Sequence, residues 1–431
     1  MSMVVKNNMS AVSTLNTLNK NSSALASSLK KVSSGMKINS AADDASGYAI
    51  SERMRVQIRG LDQANQNTQN GTSMMKVAEG AVSSTVDILK TLKEKVINAA
   101  NDTNTDADRA TIQKELDQSI DQINDNANVT YNGKYLVDGS HNSKVTATTT
   151  ALTNESLASN TASTAVFSTL KDRNGNSLNI QKSDTITMSV VKEGKTSTYS
   201  VRGSEALNTL VAKASDALAT AIGTGSTIGS DVAGDTVSTA DGGNALTISA
   251  KGTGVTNQVS GLTFSVTNTK GQVQKSANAI LDNFTESIRA QNKSDDNAIN
   301  LQVGTKANQS IRVGLTDMRA EALGLQSSSG KTLNIGTQQY ANAAINVLDN
   351  AVQKALDQQT TIGSVQSRLS YTASNLTTAS ETVQASESTI RDADMAKEMT
   401  EYTKNNVLLQ AAQSMLAQAN QSSSSVLSLL Q

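Results

Sequence analysis

Few residues of this chain could do chemistry. His141 is the one histidine, and it stands in the polar stretch DGSHNSK. Ser–His–acid catalysis would need that residue and a nucleophile elbow, and no such elbow is present. With one His, no H-E-x-x-H zinc site can form. Without Cys there is no disulfide, thiolate nucleophile or thiolate metal site. GLQSSSGKT (324–332) comes within one residue of a phosphate loop, whose glycines enclose four residues. Here Gly324 and Gly330 enclose five, and MRAEALGL before them reads as helix rather than strand. GTGSTIG (223–229) misses the dinucleotide pattern by one residue and opens no clear helix. Asp43-Asp44 and NDTNTDAD (101–108) lack the loop Gly and terminal Glu of a calcium loop and read as caps and solvated faces. KTLKEK (90–95) is basic without interleaved aromatics, so a solvated helix face is expected there rather than a nucleic-acid contact. These residues point to no catalytic, metal or cofactor site, and the expected function is not enzymatic.

Composition already favours long helices. The 431 residues contain no Pro, where average usage of roughly 5% would supply about twenty. Pro breaks helix interiors and isomerises slowly, so its absence permits long helices and removes a slow refolding step. Trp is absent, and seven Tyr and three Phe are the only aromatics, so the core must be built from Leu, Ile, Val, Met and Ala. A net charge of −1 suggests neither nucleic acid nor a membrane surface as partner. No run of 18 apolar residues is present, so no membrane insertion is expected. MSMVVKNNMSAVS has no apolar h-region, so no cleaved secretory signal is expected.

Apolar residues seven apart mark both ends of the chain. Val4, Ala11, Leu18, Leu25 and Val32 form one row, with Leu15, Ser22, Leu29 and Met36 as the companion row. A longer register follows through Met54, Leu61, Thr68, Met75, Val82, Leu89 and Val96, predicting a helix to about Asn101 some 45 residues long, roughly 65–70 Å. After the polar break, Ile112, Leu116, Ile120, Ile123 and Ala127 predict a second helix. From about 337 the heptads resume as Leu348, Ala355, Ile362, Leu369, Leu376, Val383 and Ile390. A last helical stretch carries Val407, Leu408, Met415 and Leu416.

Between the helical ends the pattern becomes β-rich. VTYNGKYLV (129–137) predicts a hairpin about Asn132-Gly133. Ile186, Met188 and Val190 alternate, KEGK turns the chain, and ALTISAKG and GLTFSVTN are further strands. EALNTLVAKASDALATA (205–221) reads as one amphipathic helix. Ile299, Leu301 and Val303 are expected to pair with Ile311, Val313 and Leu315 as another hairpin. The expected fold class is therefore mainly α with a β-rich insert: long heptad helices from both termini that pair with each other, and a separate α+β middle segment; the resemblance given below further implies a helical bundle with a hairpin and a projecting middle domain.

The end of the chain poses its own problem. No charge occurs from Asn405 to Gln431, yet Val426, Leu427, Leu429 and Leu430 close the sequence. A helix apolar on more than one side needs more than one neighbour, so further copies of the same chain are the expected cover. The first forty residues carry five Lys and no acid, whereas 387–431 carry five acids and three bases, a weak complementarity.

SSGMKINSAADDASGYAISERMRVQIRGL (33–61), NTQNGTSMMKVAEGA (67–81) and the C-terminal ESTIRDADMAKEMTEYTKNNVLLQAAQSMLAQANQSSSSVLSLLQ resemble bacterial flagellins. The resemblance covers about 1–140 and 295–431 and leaves 141–294 outside it. It implies a subunit that polymerises into the extracellular flagellar filament, exported largely unfolded through the flagellar type III apparatus. It further implies 1–44 with 389–431 as the filament core, 45–140 with 295–388 as the bundle, and 141–294 as the outward insert. Implied partners are other copies of the chain, an export chaperone on the C-terminal helix, and the filament cap and hook-junction proteins. The family's Toll-like receptor 5 patch is matched by Leu89, Glu94 and Glu115. Thr91 stands where an Arg is expected and Lys95 where a Leu is, so weak activation is expected. The hairpin at 299–315 usually follows the second helix directly, so the insert is expected to leave the bundle before it. A hook–filament junction protein and a carbohydrate-binding insert are competing readings. The single His argues against a zinc protease insert. TATTTALTNESLASNTASTA (146–165) offers Ser and Thr for O-glycosylation.

Overall fold

A computed structural model of the chain describes residues 8–231 and 233–429. In chain order these residues form α1 (Met9–Ser34), α2 (Ala45–Ala99), α3 (Asp106–Ala127), β1 (Thr130–Tyr131), β2 (Lys134–Tyr135) and β3 (Ala151–Asn154). Then come β4 (Thr185–Lys192), β5 (Lys195–Arg202), α4 (Leu207–Lys213), β6 (Leu218–Gly223), β7 (Thr227–Ser230), β8 (Thr236–Ser238), β9 (Leu246–Ala250) and β10 (Val259–Thr267). The chain continues through α5 (Lys275–Leu281), β11 (Thr285–Ile288), β12 (Ile299–Gln302), β13 (Ser310–Val313), α6 (Ala320–Leu323), α7 (Gln338–Arg391) and α8 (Met395–Leu429).

With no Pro to punctuate it, the chain sets its helix starts by side-chain caps. Asn8 Oδ1 accepts from Ala11 N, Asp44 Oδ1 from Ser46 N and Gly47 N, Thr105 forms a reciprocal capping box with Asp108, and Asp394 Oδ1 accepts from Ala396 N. The Asp44 cap starts α2 nine residues before Met54, so the helix runs 55 residues rather than the expected 45. The far end of α2 is closed by a buried Arg109 from α3, whose Nε donates to Ala99 O at 2.9 Å and Nη2 to Asn101 O at 3.1 Å. A cation there also meets the negative end of the helix dipole.

The described residues group into two compact units. Among them, the first holds 8–68, 302–309 and 371–429. Within it α1 and α8 pack antiparallel, and the α2 segment meets the α7 segment through Leu61, Ala64 and Leu376, flanked by Ala379 and Val383. The second unit holds 69–301 and 310–370, so residues 141–294 fall in one compact unit with the helical segments. Here Met75, Val82, Leu89 and Val96 of α2, with Leu348, Ile362 and Leu369 of α7, are fully buried. Leu301 of β12 lies over Gly71 of α2, where a Cβ would meet it at 2.8 Å, so the second hairpin lies along α2.

Residues 141–294 form two antiparallel sheets, ordered β10-β4-β5 and β11-β3-β9-β6, and a β7-β8 ribbon. Asn132-Gly133 and Glu193-Gly194 take positive φ at both positions, as tight hairpin turns require. All three Phe are here: Phe167 and Phe264 are fully buried, and Phe264 stacks on Phe284 at 5.4 Å. Strand β10 lies at a sheet edge, yet its outer edge is filled by side chains. Asn346 and Asn350 of α7 donate to Leu262 O and Ser260 O. Asp282 and Asn278 accept from Phe264 N and Val266 N. Four alternate backbone groups on one edge are thus satisfied without another strand. Gly261 makes the approach to α7 possible, since a Cβ there would lie 2.7 Å from Val347 Cγ2.

One expectation is corrected. Residues 205–221 are not one helix: α4 ends at Lys213, and β6 pairs with β9 from Leu218. Sheet pairing of Leu218 with Ala250 and Ile222 with Ile248 overrides the helical periodicity. In 146–165, Thr148, Thr150 and Thr153 are buried, Thr153 on the inner strand β3, while Thr146, Ser159 and Thr164 are exposed. GLQSSSGKT is a short hairpin closed by Leu333 N to Leu325 O and held to α3 by Thr332 Oγ1 on Asp117.

Two outcomes test this description. Arg109→Met leaves the α2 carbonyls unpaired and should cost about 1.5–3 kcal/mol in thermal or denaturant unfolding. Burial pushes the Asp282 carboxyl up from 3.8 to about 6, the bond from Phe264 N opposing the shift. Between those values the folded chain binds the extra proton, so this group's contribution falls as pH rises, by about 3 kcal/mol across the window, and is flat above it. Asp282→Asn should remove that slope and be more stable than the parent at pH 7. An unchanged difference between pH 4 and 7 in parallel urea titrations would refute the assignment.

Candidate assembly surface

The α1/α8 pair is built from a half-covered seam. Ala11, Leu18, Leu25 and Val32 are half-buried towards α8. Their companion row is Thr14, Asn21 and Ser28, three residues on, and not the expected row four residues on. Three amide side chains bind the pair in antiparallel register: Asn8 Nδ2 donates to Ala419 O, Asn21 Nδ2 to Leu408 O, and Asn405 Nδ2 to Ser28 Oγ. Lys31 and Glu398 approach to 3.9 Å. Ala412 of α8 is buried, and Leu416 is half-buried on the same side.

The opposite faces stay bare. Leu15 and Leu29 are 45% and 52% exposed, and Val407, Leu408 and Met415 are 60%, 42% and 62% exposed. Large apolar side chains left bare on two paired helices are unlike the scattered exposure of a finished surface. Val4 and Leu430 lie outside the described residues, as do the side chains of Val426, Leu427 and Leu429.

Where the pair joins the rest of its unit, Arg391 is the node. Its Nη1 donates to Glu52 Oε1 at 2.6 Å, its guanidinium lies 5.3 Å from the Tyr48 ring centre, and its carbonyl accepts from Lys37 N at 2.7 Å. The guanidinium holds the Glu52 carboxyl below the usual range. Ala393 N donates to Gly35 O beside it. Sequence reasoning missed this residue. Its only signal is a charged residue in a largely apolar register, one position after Ile390.

The bundle rows behave as core. Leu61, Met75, Val82, Leu89, Val96, Leu348, Ile362, Leu369 and Leu376 are buried, and Met54, Val383 and Ile390 are half-buried. Full burial removes Leu89 from any receptor-facing patch, leaving Glu94 and Glu115 exposed there. Lys95 Nζ sits 2.9 Å from Glu115 Oε1, and Thr91 Oγ1 turns back to Asp87 O. His141 is a loop residue with Nδ1 3.2 Å from Asn297 O. Among the described residues no group of three His, Cys, Asp or Glu is placed to hold a metal ion, and no helix is long and apolar enough to cross a membrane.

The arrangement is a surface for packing helices. Sequence relatives agree with it. The family described as bacterial flagellin N-terminal helical region matches residues 5–142, and its C-terminal helical counterpart matches 345–430. Flagellin of Clostridium tyrobutyricum is 33% identical over 97% of this chain and 99% of its own, and flagellin of Bacillus subtilis is 31% identical over 99% and 100%. A flagellar hook associated protein from Legionella pneumophila aligns over 78% of this chain and 97% of its own, at 15% identity and a TM-score of 0.34. The helical ends, the bare apolar rows between them and the full-length sequence relatives converge on one assignment: the chain belongs to the bacterial flagellins, the structural subunits of the flagellar filament.

Proposed function

We propose that the chain assembles by burying, between copies, the faces of α1 and α8 that it cannot cover itself. The carrying observation is the bare row Val407, Leu408 and Met415 opposite the covered seam residue Ala412. Each such side chain contributes about 1.5–3 kcal/mol on burial, before the entropic cost of association. Val4, Val426, Leu427, Leu429 and Leu430 extend these rows in sequence. On this reading 1–44 with 389–431 line the filament core, 45–140 with 295–388 form the bundle contacts, and 141–294 faces outward.

The same bare face explains the finer partners. An apolar helix end exported before assembly needs a chaperone over it, and the filament cap and hook-junction proteins meet its successive surfaces. Export of a largely unfolded chain through the type III apparatus suits a sequence with no Pro, since no X-Pro bond isomerises during refolding. Toll-like receptor 5 recognition is weak on this reading, because Lys95 ties up Glu115 and Thr91 supplies no guanidinium.

Seeded polymerisation followed by electron microscopy separates the two faces of α8. Met415→Glu should leave thermal stability within about 0.5 kcal/mol while abolishing filaments. Ala412→Asp should lower stability of the terminal pair itself. Filaments from Met415→Glu at parental yield would overturn the assembly surface. In a receptor reporter titration, Thr91→Arg with Lys95→Leu should gain about tenfold in potency over the parent chain. Potent signalling by the parent chain would refute the receptor reading.

A further inference from the structure

Sulfur is unevenly placed in this chain. It has 12 methionines, of which Met1 and Met3 lie outside the described residues. Met74, Met75, Met188 and Met318 are buried, and Met36 and Met54 are half-buried. The other four are Met9 at the start of α1 and Met395, Met399 and Met415 on α8, which are 71%, 43%, 45% and 62% exposed. Every bare methionine among the described residues therefore sits on the terminal helical pair.

Apolar contact alone does not call for sulfur there. Leu15, Leu29, Val407 and Leu408 give the same two helices bare apolar surface without it. What methionine adds is a reaction. Peroxide oxidises its thioether to a sulfoxide, which turns a flexible apolar side chain into a polar one, and reductases reverse the change. Exposure of the sulfur sets how readily this happens. Met36 differs again, since its sulfur already accepts from Arg391 Nε at 3.2 Å.

We propose that Met9, Met395, Met399 and Met415 form a peroxide-sensitive modification site that decides whether an unassembled chain can join others. The proposal rests on the assembly surface described above. In the reaction a sulfur lone pair attacks one oxygen of hydrogen peroxide. The S–O bond forms as the O–O bond breaks. Sulfur loses two electrons, and the departing oxygen is reduced and leaves as water with both peroxide protons.

The fold tolerates the change, because none of the four side chains is buried within the chain. Association does not. A sulfoxide pressed against a neighbouring helix loses its water, and an apolar contact offers no donor in return. Side chains already covered by neighbours are out of the oxidant's reach, so the modification acts on chains that have yet to assemble.

Hydrogen peroxide treatment of the full chain, read by peptide mass spectrometry and by seeded polymerisation, tests the site. Met9, Met395, Met399 and Met415 should gain oxygen at least about tenfold faster than Met74, Met75, Met188 and Met318. The oxidised chain should keep its melting temperature while its critical concentration for elongating seeds rises at least about tenfold. Methionine sulfoxide reductase should restore elongation. A chain carrying Met9→Leu, Met395→Leu, Met399→Leu and Met415→Leu is compared with its own untreated form, so a change in its starting yield drops out. Peroxide should move its critical concentration by less than about twofold. Equal oxidation of bare and buried methionines would overturn the proposal. So would undiminished elongation by the oxidised parent, or an equal loss in the Leu-substituted chain, and both leave the assembly surface standing. An untreated parent that fails to elongate seeds would overturn the assembly surface and this proposal with it.

Discussion

The antiparallel seam between α1 and α8 covers one side of each helix and no more. Everything else about the terminal pair follows from that limit. The covered side mixes the small and polar Ala11, Thr14, Asn21, Ser28, Asn405, Ala412 and Ala419 with the half-buried Leu18, Leu25, Val32 and Leu416. The small residues allow close approach, and the larger ones are only partly covered. Further large side chains, Leu15, Leu29, Val407, Leu408 and Met415, stay exposed outside the seam. Hydrophobic driving force scales with area removed from water, so part of it goes unused in the single chain. The amide tethers then fix the register of a pair that hydrophobic packing alone would hold loosely.

Side-chain amides and carboxylates recur wherever backbone would otherwise be unsatisfied. Arg109 closes the end of α2, Asp44, Thr105 and Asp394 open helices, and Asn346, Asn350, Asn278 and Asp282 fill the outer edge of β10. The edge is the more instructive case. A long edge strand in a protein destined for high local concentration invites pairing with other copies. Filling its carbonyls and amides from α5 and α7 removes that route.

How far the sequence could be read depended on the kind of signal. Heptad rows over 54–96 and 348–390 marked core positions because a long helix repeats its signal many times. The Asn132-Gly133 and Glu193-Gly194 turns were legible because few residues tolerate positive φ. Residues 214–223 misled, since Ala-rich alternation fits a helix face and a strand equally well, and only pairing with β9 decides. The companion row of α1 was read as Leu15 and Leu29 because large apolar residues dominate any periodicity. The true seam uses Thr14, Asn21 and Ser28, whose polarity hides them. Leu89 was read both as core and as patch, and burial leaves only the first. Arg391 and Arg109 were invisible for a related reason: a buried Arg gives no periodic signal, and the partners, the distant Glu52 and Tyr48 for Arg391 and the carbonyls of Ala99 and Asn101 for Arg109, are not displayed by sequence.

Two regimes of stability coexist in one chain. Residues 141–294 hold all three Phe and a closed apolar cluster running from Leu152 through Phe167 and Phe264 to Leu281. The α1/α8 pair has no such cluster among its described residues, and its stability is tied to whatever covers its outer faces. A segment of that kind is stabilised by mass action, in proportion to the logarithm of the concentration of its cover. On the assembly proposed above, a filament favours a terminal pair that is strong when surrounded. Leaving Leu15, Leu29, Val407, Leu408 and Met415 outside the intramolecular seam meets that demand with the same helices.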